Sequence, residues 1–110
     1  MAITESLSGV TVSLGPGRTT IAVSGELDRH TVRAFRDAVG TATAPGVDLI
    51  VDLAEVSFIS AAGLEALVSL ARIARQADGE FHLQRTPPRM RHLLELAGLI
   101  RALPLTGTGR

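Results

Sequence analysis

The first half of the chain contains two short runs in which apolar and polar residues alternate. One run covers residues 10–14, the other covers residues 20–24, and a Gly-Pro-Gly sequence at 15–17 separates them. Alternation with a period of two is typical of strands with one buried face. Two such runs joined by a short glycine- and proline-containing break are typical of a hairpin. The sequence therefore predicts an antiparallel pair of strands.

The next segment follows the helical period. Val32, Phe35 and Val39 have the spacing of one helix face, with charged residues between them. Asp28 precedes them and is a candidate N-cap, because a carboxylate at that position can accept hydrogen bonds from free amides. Gly40 is the predicted stop signal.

The second half alternates between strand and helix patterns. The segment at 47–53, whose middle is continuously apolar, predicts a covered central strand, followed by a connector at 54–60. Helical spacing of apolar residues predicts a second helix over 61–76. Alternation at 81–83 predicts another strand, and the helix after it is opened by the Thr-Pro-Pro sequence at 86–88.

This order of elements determines the expected fold. Strands connected through helices pair in parallel with right-handed crossovers, and the opening hairpin adds an antiparallel pair. We therefore expect an α/β two-layer sandwich, with a mixed four- to five-stranded sheet and three main helices. A chain of 110 residues fits one domain, with a core at about 10–105 and a flexible tail at 106–110.

Composition excludes several function classes. Eleven basic and eleven acidic residues give no net charge, whereas nucleic-acid-binding proteins usually carry a basic excess. The chain has no cysteine, which excludes disulfides and cysteine-ligated metals. The N-terminal sequence has no signal-peptide pattern, and no apolar run is long enough to span a bilayer. We expect a cytoplasmic protein that does not bind membranes.

The sequence offers little for catalysis or cofactor binding. It has no glycine-rich phosphate loop and no nucleophile elbow, so an enzyme is not expected. His30, His82 and His92 lie too far apart for a metal motif. Neither a metal nor a cofactor is therefore predicted. The basic residues around the third helix, which include Arg85 and Arg89, are interpreted as a solvated face, with contact to an acidic partner as the alternative.

Three segments resemble the STAS domain family, named after sulphate transporters and anti-sigma factor antagonists. The sequence Gly-Glu-Leu-Asp at 25–28 is similar to the turn after the family's second strand. Residues 49–64 are similar to its central strand, connector and phosphorylation loop, and residues 90–105 are similar to its closing helix. The resemblance covers residues 10–105 and implies the same fold.

The resemblance also implies a function. Bacterial family members of this size bind an anti-sigma factor, itself a serine kinase, and so release a sigma factor for transcription. In many members the kinase phosphorylates a serine at the start of the second helix, and phosphorylation abolishes binding. The implied partner is therefore an anti-sigma factor or a related kinase-like regulatory protein, and the oligomeric state stays open.

The chain departs from the family at the phosphorylated position. Ser60 lies in place of the motif's aspartate, and Ala61 lies in place of the phosphorylated serine. An alanine cannot accept a phosphoryl group, so we predict a binder that is not switched there. Ser60 is the alternative acceptor, although N-capping of the helix is the favoured interpretation. Ser57 is a third candidate, interpreted as a loop serine.

The family resemblance places the docking surface on the turn at 25–29, the loop at 57–63 and the exposed face of the second helix, including Ser69. The predicted contact residues are Asp28, Arg29, Ser57, Ser60, Ala61, Ala62, Gly63 and Glu65.

Two alternative functions remain open, a small-ligand module and a structural subunit of a larger signalling complex.

Overall fold

A mixed sheet organises the chain, whose structure is a computed structural model. It describes the backbone of residues 3–7, 9–42, 44–103 and 105–106, and the side chains of 9–40 and 44–103. The elements, in chain order, are β1 (Ile3–Leu7), β2 (Val10–Gly15), β3 (Arg18–Leu27), α1 (Val32–Ala42), β4 (Asp48–Ile59), α2 (Ala61–Gln76), β5 (Phe81–Gln84), α3 (Pro88–Leu96) and β6 (Leu105–Thr106).

The strands are ordered in the sheet as they are in the sequence. β1, β2 and β3 pair antiparallel, whereas β3 to β6 pair parallel. The predicted mixed sheet with three helices is confirmed. Two short edge strands, β1 and β6, were not predicted. Thr106 of the predicted tail lies in β6, and residues 107–110 lie outside the described residues.

One face of the sheet forms the core. In β3, Thr19, Ile21 and Val23 are buried while Thr20 and Ala22 between them are only half-buried. This alternation matches the predicted period of two. The buried face packs against the apolar sides of the helices in one cluster, which gives the two layers. The largest fully buried side chains are Phe35, Phe81, Ile21, Leu27, Leu49, Leu53, Leu67, Leu83, Leu94, Leu103, Val39 and Val51.

β4 is longer than the sequence predicts. The strand continues to Ile59, so the predicted connector at 54–60 is wrong over most of its length. Two register shifts against β3, at residues 52–55 and 56–58 of β4, explain the difference. Each shift places an additional β4 residue opposite β3, as in a β-bulge. Such bulges let a strand stay paired where the local pattern no longer alternates.

The ends of α1 also differ from prediction. The helix begins at Val32 and continues to Ala42, beyond the predicted stop at Gly40. Asp28 therefore lies one turn before the helix, and its carbonyl accepts from the Val32 amide at 2.8 Å. By contrast, α2 covers the predicted residues 61–76. Among the residues that the structure describes, no helix combines the length and apolarity needed to cross a membrane.

Candidate docking surface

The two segments predicted as the turn at 25–29 and the loop at 57–63 lie side by side. The second is not a loop, because Ser57 lies in β4 and only Ser60 separates β4 from α2. β3 and β4 are parallel neighbours, and Leu27 at the end of β3 is paired with Ile59 at the end of β4. The Ser60 amide donates to the Leu27 carbonyl at 3.0 Å. The turn after β3 and the segment before α2 therefore form one continuous surface, as the resemblance implied.

The turn after β3 is organised by Asp28 and Thr31. The Asp28 carboxylate Oδ1 accepts from the amides of His30 at 2.9 Å and Thr31 at 3.2 Å. Thr31 Oγ1 donates to the Glu26 carbonyl at 2.7 Å and accepts from the Asp28 amide at 2.9 Å. The His30 amide, followed by that of Thr31, lowers the pKa of Asp28 below its ordinary value, because both bonds favour the charged carboxylate. The carboxylate thus stabilises the turn.

Ser60 caps α2. Its backbone is extended, and its Oγ accepts from the Gly63 amide at 3.3 Å. This geometry satisfies one of the free amides in the first turn of the helix. Ser60 is half-buried, whereas Ala61 at the first helical position is exposed. The structure therefore presents a methyl group to solvent at the positive end of the helix dipole.

Gly63 allows α2 to approach β3. A Cβ atom there would lie 2.8 Å from Ile59 Cγ1 and in even closer contact with the Leu27 carbonyl oxygen. Such distances are far inside van der Waals contact. Gly63 was predicted among the partner contacts, but it is buried, and this expectation is corrected. Its contribution is to hold the helix start against the end of β3.

The other predicted residues are accessible to differing degrees. Arg29, Ser57 and Glu65 are exposed, and Ala62 and Ser69 are half-buried. Glu65 and Ser69 line a groove of about 360 Å³ between α1 and α2, with further walls from Arg36, Leu64, Val68, Arg72 and Leu99. Arg36 and Arg72 were not predicted as site residues, because sequence spacing alone does not show that α1 and α2 meet there.

An exposed aromatic ring was also missed. Phe58 is 53% exposed, although it lies in a strand next to the buried Ile59. It lines a second depression with Ser57 of β4 and with Arg89 and Leu93 of α3. Large apolar side chains exposed beside a candidate site frequently mark contact surfaces. A local signal existed, since the adjacent apolar residues Phe58 and Ile59 cannot both face the same side of a regular strand.

An ion pair between a buried carboxylate and an exposed guanidinium lies beside the first half of β4. Asp52 is 5% exposed, and its carboxylate accepts from Arg85, with Nε 3.0 Å from Oδ2. The bond to Asp52 raises the pKa of the Arg85 guanidinium. Asp52 Oδ1 also accepts from the Ala54 amide at 3.0 Å, where the first bulge begins. Arg85 is exposed, in agreement with the predicted solvated basic face, but its guanidinium is also paired with Asp52.

The described residues show no metal-binding arrangement. Within the part of the chain that the structure describes, no group of three or more histidines and carboxylates is placed to hold a metal ion. His82 instead contacts Glu80 at 2.9 Å, and His92 lies 3.9 Å from Glu95. These histidines have local partners on the surface.

Comparison with known proteins identifies the family. The family model described as "Mlab, STAS domain" matches residues 10–106, which include both segments of the surface. The chain belongs to the STAS domain family. This STAS protein is 32% identical over 80 residues to the anti-sigma-B factor antagonist of Listeria monocytogenes, a match that covers 72% of the chain and 70% of that protein.

Two further matches of this STAS protein agree with that assignment. An anti-sigma factor antagonist from Mycobacterium paratuberculosis has the same fold, with a TM-score of 0.71 and 27% identity over 98% of the chain and 86% of that structure. A shorter match, 30% identical over 60 residues, covers 54% of the chain and only 52% of BtrV from Bordetella bronchiseptica. The Listeria and Mycobacterium proteins are both named as antagonists, which are regulators. This confirms the expectation that the STAS protein is not an enzyme.

Proposed function

We propose that this STAS protein is an anti-sigma factor antagonist that binds a serine-kinase type of anti-sigma factor in the cytoplasm and so frees a sigma factor. The support is that two relatives are named as anti-sigma factor antagonists. The docking surface would consist of Asp28, Arg29, Ser57, Ser60, Ala61, Ala62 and Glu65, positioned by the buried Gly63.

The exposed methyl group of Ala61 is the observation that carries this proposal. It lies at the first position of α2, beside the capping hydroxyl of Ser60. A phosphate there would add about −1.5 to −2 charges to the surface. The helix itself would tolerate that charge, but a partner covering the surface would have to desolvate it. With alanine in this place, we propose that the surface stays permanently competent for binding.

Ser60 does not provide an equivalent switch in this proposal. Ser60 is half-buried and its Oγ accepts from the Gly63 amide, so transfer of a phosphoryl group would disturb the cap. Incubation with the partner kinase and ATP should leave the intact mass unchanged. A stoichiometric phosphoryl adduct that releases the partner would contradict an unswitched binder, and the Ser60→Ala and Ser57→Ala variants would locate the adduct.

Binding itself is tested with purified anti-sigma factors encoded by the same genome, each titrated calorimetrically. We expect one of them to bind and the Ala61→Asp variant to bind at least about tenfold more weakly, since a central interface residue dominates affinity. The helix N-terminus tolerates Asp, so the variant should stay folded. Ala44→Asp is the matched control, because Ala44 is exposed in the loop after α1. Equal affinities for both variants would reject this surface.

A further inference from the structure

The groove between α1 and α2 continues the candidate docking surface. Ala61, Glu65, Val68 and Arg72 are separated by four, three and four residues in α2, which places them in one stripe along the helix. Glu65, Val68 and Arg72 line the groove, which holds about 360 Å³. A partner that covers Ala61 can therefore extend along the same helix into the groove.

The floor of the groove is apolar. Leu64 and Val68 of α2 and Leu99 from the segment after α3 line it, and all three side chains are only half-buried. These residues pack against the core without being covered by it. Apolar surface that remains accessible in a concave site favours an apolar side chain from outside.

The rim of the groove is positively charged. Arg36 and Arg72 are both exposed, and neither forms an ion pair with any residue that the structure describes. Glu65 is the acidic residue in the lining, so the two arginines leave an excess of one positive charge. Arg33 lies on the same side of α1 as Arg36, three residues earlier, and is also exposed.

Two exposed arginines beside an apolar groove offer charge complementarity to an acidic side chain. Arginine binds carboxylates through two parallel hydrogen bonds. Resting on the function proposed above, we propose that this groove binds an acidic segment of the partner protein. A glutamate or aspartate of the partner pairs with Arg36 and Arg72, and a neighbouring apolar side chain packs on Leu64, Val68 and Leu99.

The test uses the intact STAS protein and two short, blocked peptides, one repeating Leu-Glu-Glu and the other repeating Leu-Gln-Gln. We expect the acidic peptide to shift the amide NMR signals of Leu64, Val68 and Arg72 in a saturable way. The neutral peptide should bind about tenfold more weakly, as should the acidic peptide to the R36Q/R72Q variant. Added salt should weaken the acidic interaction.

The R18Q/R89Q variant is the matched control, because it removes two exposed arginines that do not line the groove. Equal loss of binding in both double variants would overturn the proposal, as would shifts confined to other regions. Inorganic phosphate is the third probe. If phosphate shifts the same signals and displaces the peptide completely at equal concentration, the apolar floor is unused and a peptide ligand is rejected.

The peptide titrations test the groove, and the anti-sigma factor titrations test the proposed function, so the two proposals can fail independently. Binding of an anti-sigma factor that weakens with Ala61→Asp but not with R36Q/R72Q would reject the groove while supporting the proposed function. Binding of the acidic peptide without binding of any anti-sigma factor would reject the proposed function and support an acidic partner of another kind.

Discussion

The carboxylate of Asp52, in the first half of β4, pairs with the guanidinium of Arg85 directly after the end of β5, with Arg85 Nε 3.0 Å from Asp52 Oδ2. Arg85 adopts a positive φ of 53°, a conformation that residues other than glycine seldom adopt. The same carboxylate accepts from the Ala54 amide at the first bulge of β4. The pair therefore connects the end of β5 to the strand that leads to Ser60 and α2.

Replacement of Asp52 by alanine should destabilise the fold by about 1–3 kcal/mol. The variant leaves the Ala54 amide without its acceptor and Arg85 without its counter-charge. A destabilisation of this size is usual when a buried hydrogen bond is lost. Urea denaturation measures the change. Asp37→Ala is the control, because Asp37 is exposed in α1, and it should stay within about 0.5 kcal/mol of the parent. Equal losses would contradict a structural role for Asp52.

A methyl group added at Gly63 should destabilise the protein by about 1–3 kcal/mol, the usual cost of overpacking. The added Cβ would collide with the Leu27 carbonyl and Ile59. Gly40→Ala should change the stability in the opposite direction. Gly40 is exposed in α1 with open space around it, so alanine should stabilise the helix by about 0.5–1 kcal/mol. Thermal unfolding of both variants shows whether the loss at Gly63 comes from the close approach of α2 to β3 or from replacing any glycine in a helix.

Phe58→Ala should weaken binding of the anti-sigma factor by about tenfold or more while leaving the fold largely intact. The ring is already 53% exposed, so its removal loses only about 1 kcal/mol of stability, whereas aromatic residues dominate many interfaces. Calorimetric titration measures the affinity. Leu96→Ala is the control, since Leu96 is 73% exposed outside the proposed surface. A similar effect of both variants would exclude Phe58 from the interface.

The charge of Asp28 should contribute to stability only above its lowered pKa. Because the folded-state pKa lies below the ordinary 3.8, the ionised carboxylate stabilises the fold above 3.8, and this contribution is lost as the pH falls through the folded-state value. Asp28→Asn keeps an acceptor oxygen but has no charge. The stability difference between the parent and this variant should therefore disappear in acid.

Ser60→Ala provides the comparison without a titrating group. Loss of the cap on the Gly63 amide should cost about 0.5–2 kcal/mol, by the same amount in acid and at neutral pH. Urea denaturation at several pH values measures both variants. A stability difference for Asp28→Asn that persists well below pH 3.8 would show that the amides of His30 and Thr31 do not favour the charged form.

Local patterns predicted the elements that depend on neighbouring residues. α2 covers its predicted range because the apolar spacing and the Asp78-Gly79 ending are both local signals, and Asp78 indeed has a positive φ of 64°. The extension of β4 to Ile59 was not predictable in this way. It depends on pairing with β3 through two bulges, and a sequence pattern does not show which strand lies alongside.

The candidate site was predictable to a similar extent. The proximity of the two segments followed from the family resemblance, and parallel pairing of Leu27 with Ile59 produces it. The burial of Gly63, the exposure of Phe58 and the Asp52–Arg85 pair all depend on contacts between distant segments. Residue type and spacing do not specify such contacts.

The hydrogen bond from the Ser60 amide to the Leu27 carbonyl joins the two segments through the main chain. A surface held in this way before an encounter loses little conformational entropy when a partner arrives. Association then requires no folding step, and its rate depends on diffusion and orientation. We expect competing partners to form complexes at similar speeds and to differ mainly in how long those complexes last.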